Sequence, residues 1–120
     1  VRMLFPAAVS LGGTMPSGSS SQAFVLEIIL TLILMLVILS VSFGAKETGM
    51  LAGVAIGAVI AFEALFAGPV SGASMNPARS LGPAIIAGEI HSLWVYLVAP
   101  VLGAILAVPL YWVIHRHHAA

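Results

Sequence analysis

Cysteine is absent from the 120 residues, and charge is scarce: only 7% are Asp, Glu, Lys or Arg. Without a thiol there is no disulfide, no thiolate nucleophile and no Cys-based metal site, although this absence says nothing about compartment. The scarcity of charge excludes more. A soluble domain carries about 25% charged residues, whereas 61% of this chain is hydrophobic. So few charges cannot cover a water-facing surface, and lipid is expected to be the main solvent. Net charge is zero at pH 7, which leaves no electrostatic basis for a nucleic-acid partner. No paired catalytic carboxylates, nucleophile triad or phosphate loop is found, so no enzyme, cofactor or metal site is expected. No secretory signal is visible either. Residues 1–9, VRMLFPAAV, are apolar but short and lack a cleavage site. The first residue is Val, and the start reads as a cut through a longer protein. Residues 1–9 are then the end of a preceding membrane helix.

Three long apolar runs are present, over about residues 23–43, 50–67 and 93–114. Each approaches the roughly 20 residues needed to cross a hydrocarbon core of about 30 Å. Lipid offers the backbone no hydrogen bonds, so each run is predicted to be a helix. Residues 10–22 form a polar outer loop, LGGTMPSGSSSQ from position 11, and AKET at 45–48 is a tight turn. Lys46 follows the first run; Arg116, with His115, His117 and His118, follows the third. With three crossings these sites share a face, which the positive-inside rule assigns to the cytoplasm, C-terminus included.

The stretch after the second run differs. It begins as a Gly/Ser loop and then reads Asn76-Pro77-Ala78-Arg79. Asn is a preferred N-cap and Pro is favoured at the first helical position. A helix is therefore predicted from Pro77 to about Ala87, roughly 16 Å long at about 1.5 Å per residue. Pro83 should tighten or kink this helix rather than end it. A half-length helix survives in lipid only when buried in protein or lining a cavity. Such broken helices aim their N-termini at a transport site. The positive dipole end there repels cations and admits neutral molecules. Arg79, three residues past Asn76, lies near the same helical face and adds a fixed charge with several donors. The alternative is an Arg79 that snorkels to the headgroups.

SGASMNPARSLGPAI resembles the second signature loop of the major intrinsic protein family, the aquaporins and glycerol facilitators. LGGTMPSGSSSQAFVLE and FAGPVSGASMNPARSLGPA are most similar to its nodulin-type subfamily and bacterial relatives. The resemblance implies an all-α membrane protein, with residues 23–120 as the second repeat of an aquaporin-like right-handed bundle. Three spanning helices and one re-entrant half-helix make up that repeat. It further implies a passive channel for water and small uncharged solutes, completed by a first repeat and assembled as a homotetramer in a plasma or inner membrane. Asn76, Pro77 and Ala78 would form the pore motif. Ala64, Ala73 and Arg79 would supply three of four selectivity-filter positions. Strict water channels have His where Ala64 stands, so this filter is wide and would admit glycerol, urea or metalloid hydroxides. Ser80, Ala84, Tyr111 and Trp112 are instead like those of water channels.

Glu27 and Glu63 lie within the apolar runs, where a carboxylate is a functional candidate by default. Glu27 matches a family residue that accepts hydrogen bonds from the re-entrant loop, and Glu63 is expected to hold the loop or orient Arg79. An ion- or proton-coupled carrier using the two, or a non-conducting half-channel, are the readings from other classes. Gly49, Gly53 and Gly57 form overlapping GxxxG units suited to close helix packing, with Gly72 and Gly82 allowing approach around the loop. Trp94, Tyr96, Tyr111 and Trp112 read as interfacial belts, the last two alternatively as bundle residues. His91 is expected in an outer loop. The terminal histidines are read as a solvated tail rather than a metal site.

Overall fold

A computed structural model of the chain describes residues 1–44 and 49–116. Among these residues it is helical throughout, without strands. Helix α1 is Ser20–Leu39 and runs on through a π-helical turn, Ser40–Gly44; α2 is Met50–Ser71, α3 is Pro77–Ala87 and α4 is Leu93–Arg116. The segments Ser20–Phe43, Leu51–Ser71 and Leu93–Arg116 are long and apolar enough to cross a membrane. Helix α3, with 11 residues, covers about half that distance at about 1.5 Å per residue. The architecture is an all-α membrane fold of three spanning helices and one half-length helix. The predicted turn at 45–48 with Lys46, and His117 and His118, lie outside the described residues.

The helix ends follow from capping. Helix α1 begins ahead of its apolar run because Ser19 caps it, accepting the Gln22 N–H at 3.2 Å. A polar first turn thereby satisfies donors that lipid would leave unpaired. Helix α2 continues past its apolar run, through Pro69 to Ser71. A proline in the last turn removes only one hydrogen bond. Residues 2–4 and 6–7 form turns.

Packing is dominated by α1 against α4. Ala99, Gly103 and Ala107 of α4, four residues apart, are all buried. A Cβ on Gly103 would stand 2.5 Å from the Ile28 carbonyl oxygen and 3.0 Å from the Thr31 Cβ. This small-residue stripe sets the α1–α4 separation. The GxxxG units at 49–57 do not play that part within this chain, since a Cβ on Gly53 or Gly57 meets nothing within 4 Å. Their face of α2 is open, as is the space around Gly82.

The start of α1, the end of α2 and the start of α4 gather at one end of the bundle. The Ser17 N–H donates to the Val70 carbonyl at 3.0 Å, the Tyr96 hydroxyl donates to the Ser71 carbonyl, and the Phe24 ring packs tilted against Trp94, centroids 5.5 Å apart. The loop joining α2 to α3 therefore dips into the bundle from that end.

Candidate functional site

Residues 72–76 turn the chain from α2 into α3. Gly72, with φ of 88°, is followed by Ala73 at 44° and Met75 at 53°. Left-handed backbone at a non-glycine residue costs roughly 1–2 kcal/mol, so something must hold it. A Cβ on Gly72 would also lie 3.1 Å from the Thr14 side chain.

Glu27 is the holding group. It is fully buried in α1. Its Oε1 accepts from the Ser71 hydroxyl at 2.8 Å and the Ser74 N–H at 2.9 Å. Its Oε2 accepts from the Met75 N–H at 2.8 Å. Hydrogen bonds to a charged acceptor contribute about 1.5–3 kcal/mol each, enough to offset the two strained residues. In a trans peptide, N–H and C=O point in opposite directions. The Ser74 and Met75 N–H groups face Glu27, so the carbonyls of Ala73 and Ser74 face away from it.

A second, uncharged network pins the other side. Ser80 of α3 shares a hydrogen bond with Thr14 and another, at 2.6 Å, with Ser74. The Ser74 hydroxyl donates to the Asn76 carbonyl at 2.8 Å. Asn76 caps α3, its Oδ1 accepting the N–H groups of Ala78 at 2.9 Å and Arg79 at 3.3 Å. With the oxygen so used, the Asn76 amide nitrogen is directed elsewhere as a donor. Helix α3 turns Ser80 and Ala84 inward and ends at Gly88, which is left-handed.

A cavity of about 200 Å³ is lined by Ala73, Ser74, Met75, Asn76 and Arg79, with Leu34 and Ile60 beside them. The structure thus brings Ala73, Asn76 and Arg79 together at the N-terminus of the half-helix. Pro77 and Ala78 follow as its first turn, Ala78 exposed. Ala64 is not in this lining. It is exposed on α2 one turn beyond Ile60, on the same helical face. Glu63 is buried, and among the described residues neither of its carboxylate oxygens has a hydrogen-bond partner.

Several residues that build the site escape sequence reading. Ser71 and Ser74 look like solvated loop residues but are buried, and Thr14 lies in a loop read as purely polar. Tyr96, read as an interfacial aromatic, is fully buried and tied to Ser71. The signal for Tyr96 was its place on one stripe with Ala99, Gly103 and Ala107. Trp94 and Trp112 are exposed, whereas Tyr111 is buried and stacks on His115. His91 is exposed between α3 and α4.

Comparison with known proteins gives a consistent picture. A profile described as Major intrinsic protein matches residues 4–111. Aquaporin NIP1-1 of Oryza sativa subsp. japonica is 58% identical over 93 residues, covering 78% of this chain and 33% of the relative. Aquaporin NIP3-1 of Arabidopsis thaliana is 56% identical, with coverage of 78% and 29%. Nodulin-26 of Glycine max is 53% identical, with coverage of 78% and 34%. The chain spans about a third of the length of these relatives.

Proposed function

The chain belongs to the major intrinsic protein family, on its nodulin-type branch, and from that premise we propose that it forms the second half of a passive channel for water and small uncharged solutes. It is a multi-pass integral membrane protein with no enzymatic chemistry. The observation that carries the proposal is the loop held by Glu27, which sets Ala73, Asn76 and Arg79 along one cavity at a half-helix N-terminus.

The carbonyls of Ala73 and Ser74, turned from Glu27, offer acceptors to a passing solute. The Asn76 amide and the Arg79 guanidinium offer donors. Together they replace the hydrogen bonds a neutral solute loses on leaving water, while the helix dipole and Arg79 oppose cations. Ala64, one turn outward of Ile60, leaves room beside Arg79. That room favours glycerol, urea or metalloid hydroxides along with water. The pathway is closed by a first repeat bearing the other pore motif and the fourth filter residue. The family relationship supports a homotetramer in a plasma or inner membrane, with Arg116 on the cytoplasmic side.

The test is swelling of proteoliposomes bearing the full-length channel, with and without a protonophore. Water flux well above empty liposomes and unaffected by protonophore is expected. Flux that collapses with the proton gradient would instead identify a carrier.

A further inference from the structure

Glu63 is the buried carboxyl that the pathway leaves unused. Ile56, Val59, Glu63, Ala67 and Ser71 fall three or four residues apart and share one face of α2. Ile56, Val59 and Ala67 pack with Leu30 and Leu34 of α1 and with Ala73 and Met75 of the loop. Ser71 bonds Glu27. Glu63 is therefore directed at α1 and the back of the loop, only 1% exposed.

The two carboxyls behind the loop are in opposite situations. Glu27 takes donors on both oxygens. Among the described residues, Glu63 has none on either. The other carboxyl behind this loop is Glu27 of α1. The loop residues 72–76 carry no titratable side chain. From the remaining elements, Arg79 lines the cavity at the α3 N-terminus, and Tyr96 of α4 is committed to the Ser71 carbonyl. An ionised carboxylate without donors is far more costly to bury than a neutral acid. The arrangement seen therefore accommodates Glu63 as the acid. As an anion it would compete for the donors of the adjoining loop, which are now held by Glu27.

We propose that Glu63 is a proton-controlled switch on the re-entrant loop. Neutral Glu63 leaves the Ser71, Ser74 and Met75 donors to Glu27, and the pathway stands open. Ionised Glu63 draws on those donors, releases the left-handed turn at Ala73 and Met75, and displaces Asn76 and Arg79 from the cavity. The inference deepens the channel reading and rests on it.

The experiment measures osmotic water permeability of the full-length channel in proteoliposomes at equal internal and external pH. The range is about pH 4 to about pH 9, wide enough for a carboxyl perturbed by its surroundings. Permeability of the wild type is expected to fall several-fold as pH rises, while Glu63→Gln stays at the low-pH level throughout. Wild-type permeability well above background but flat in pH overturns the switch and leaves the channel intact. A Glu63→Gln variant that keeps the wild-type profile overturns it too, placing the pH response elsewhere. Background permeability at every pH removes the channel reading and the switch with it. Should Glu63→Gln fail to assemble, infrared difference spectra of the wild type decide. Loss of a protonated-carboxyl band over the same pH range as the flux supports the switch, and a constant band overturns it.

Discussion

Single residues carry the selectivity of the proposed pathway. Arg79 lines the cavity beside Asn76, and among the described residues no ion pair or hydrogen bond holds its guanidinium. Its charge is thus available to a solute, where a snorkelling Arg would face the headgroups. Ala64 contributes only a methyl group one turn beyond Ile60. Replacing Ala64 with His adds a ring, so glycerol permeability should drop strongly while water passage persists. Replacing Arg79 with Val removes charge and donors together, so cation exclusion should weaken, with the α3 dipole as the remaining barrier. Paired water, glycerol and cation fluxes at matched protein levels would check both. Unchanged ratios in the two variants would remove the filter assignment and leave the cavity without a selectivity role.

At the scale of elements, the decisive contact is α1 against α4. The Glu27 side chain reaches the loop only if α1 sits at the correct height and rotation, and α4 fixes both. Gly103 stands against the Ile28 carbonyl, backbone that cannot swing aside. Gly103→Val is therefore expected to push the helices apart at a cost of about 1–3 kcal/mol or more, the usual range for overpacking. Gly53→Val on the open face of α2 should cost much less within this segment. Thermal unfolding in detergent would compare the two. Equal losses would mean that the small-residue stripe of α4 does not set the helix separation. Helix α3 depends on this scaffold in turn, since Ser80 reaches both Thr14 and Ser74.

For the whole molecule, the cavity is walled from one side. Phe62, Leu65 and Phe66 of α2 and Ile85 and Ile86 of α3 are exposed, as are Asn76 and Arg79. Apolar helix faces can meet lipid at little cost, but the Arg79 guanidinium cannot. A complementary wall is therefore required around the α3 N-terminus. The 120 residues reconstituted alone are expected to give no water flux above that of bare lipid. Co-expression with the first repeat of a nodulin-type relative should restore it. Flux from the segment alone would show that copies of this half complete the pathway between themselves.

Much was determined by sequence alone, because the physics involved is local. Three apolar runs of near-membrane length must be helices wherever lipid denies the backbone partners. Asn76 before Pro77 marks a helix start, since one supplies an acceptor and the other needs no donor. The motif around them was enough to point to the family. What only the tertiary structure decided is which buried polar groups meet. Glu27 and Glu63 are the same residue type, both inside spanning helices. Among the described residues one holds three donors and the other none, and no local pattern separates them. The difference lies in the rotation of α1 and α2 about the loop, and in left-handed residues at 73 and 75 that a non-glycine sequence does not announce. Likewise Ser71, Ser74, Thr14 and Tyr96 read as polar loop or interface residues. They became the frame of the site because hydroxyls far apart in sequence were brought within hydrogen-bond reach, which chain packing alone can arrange.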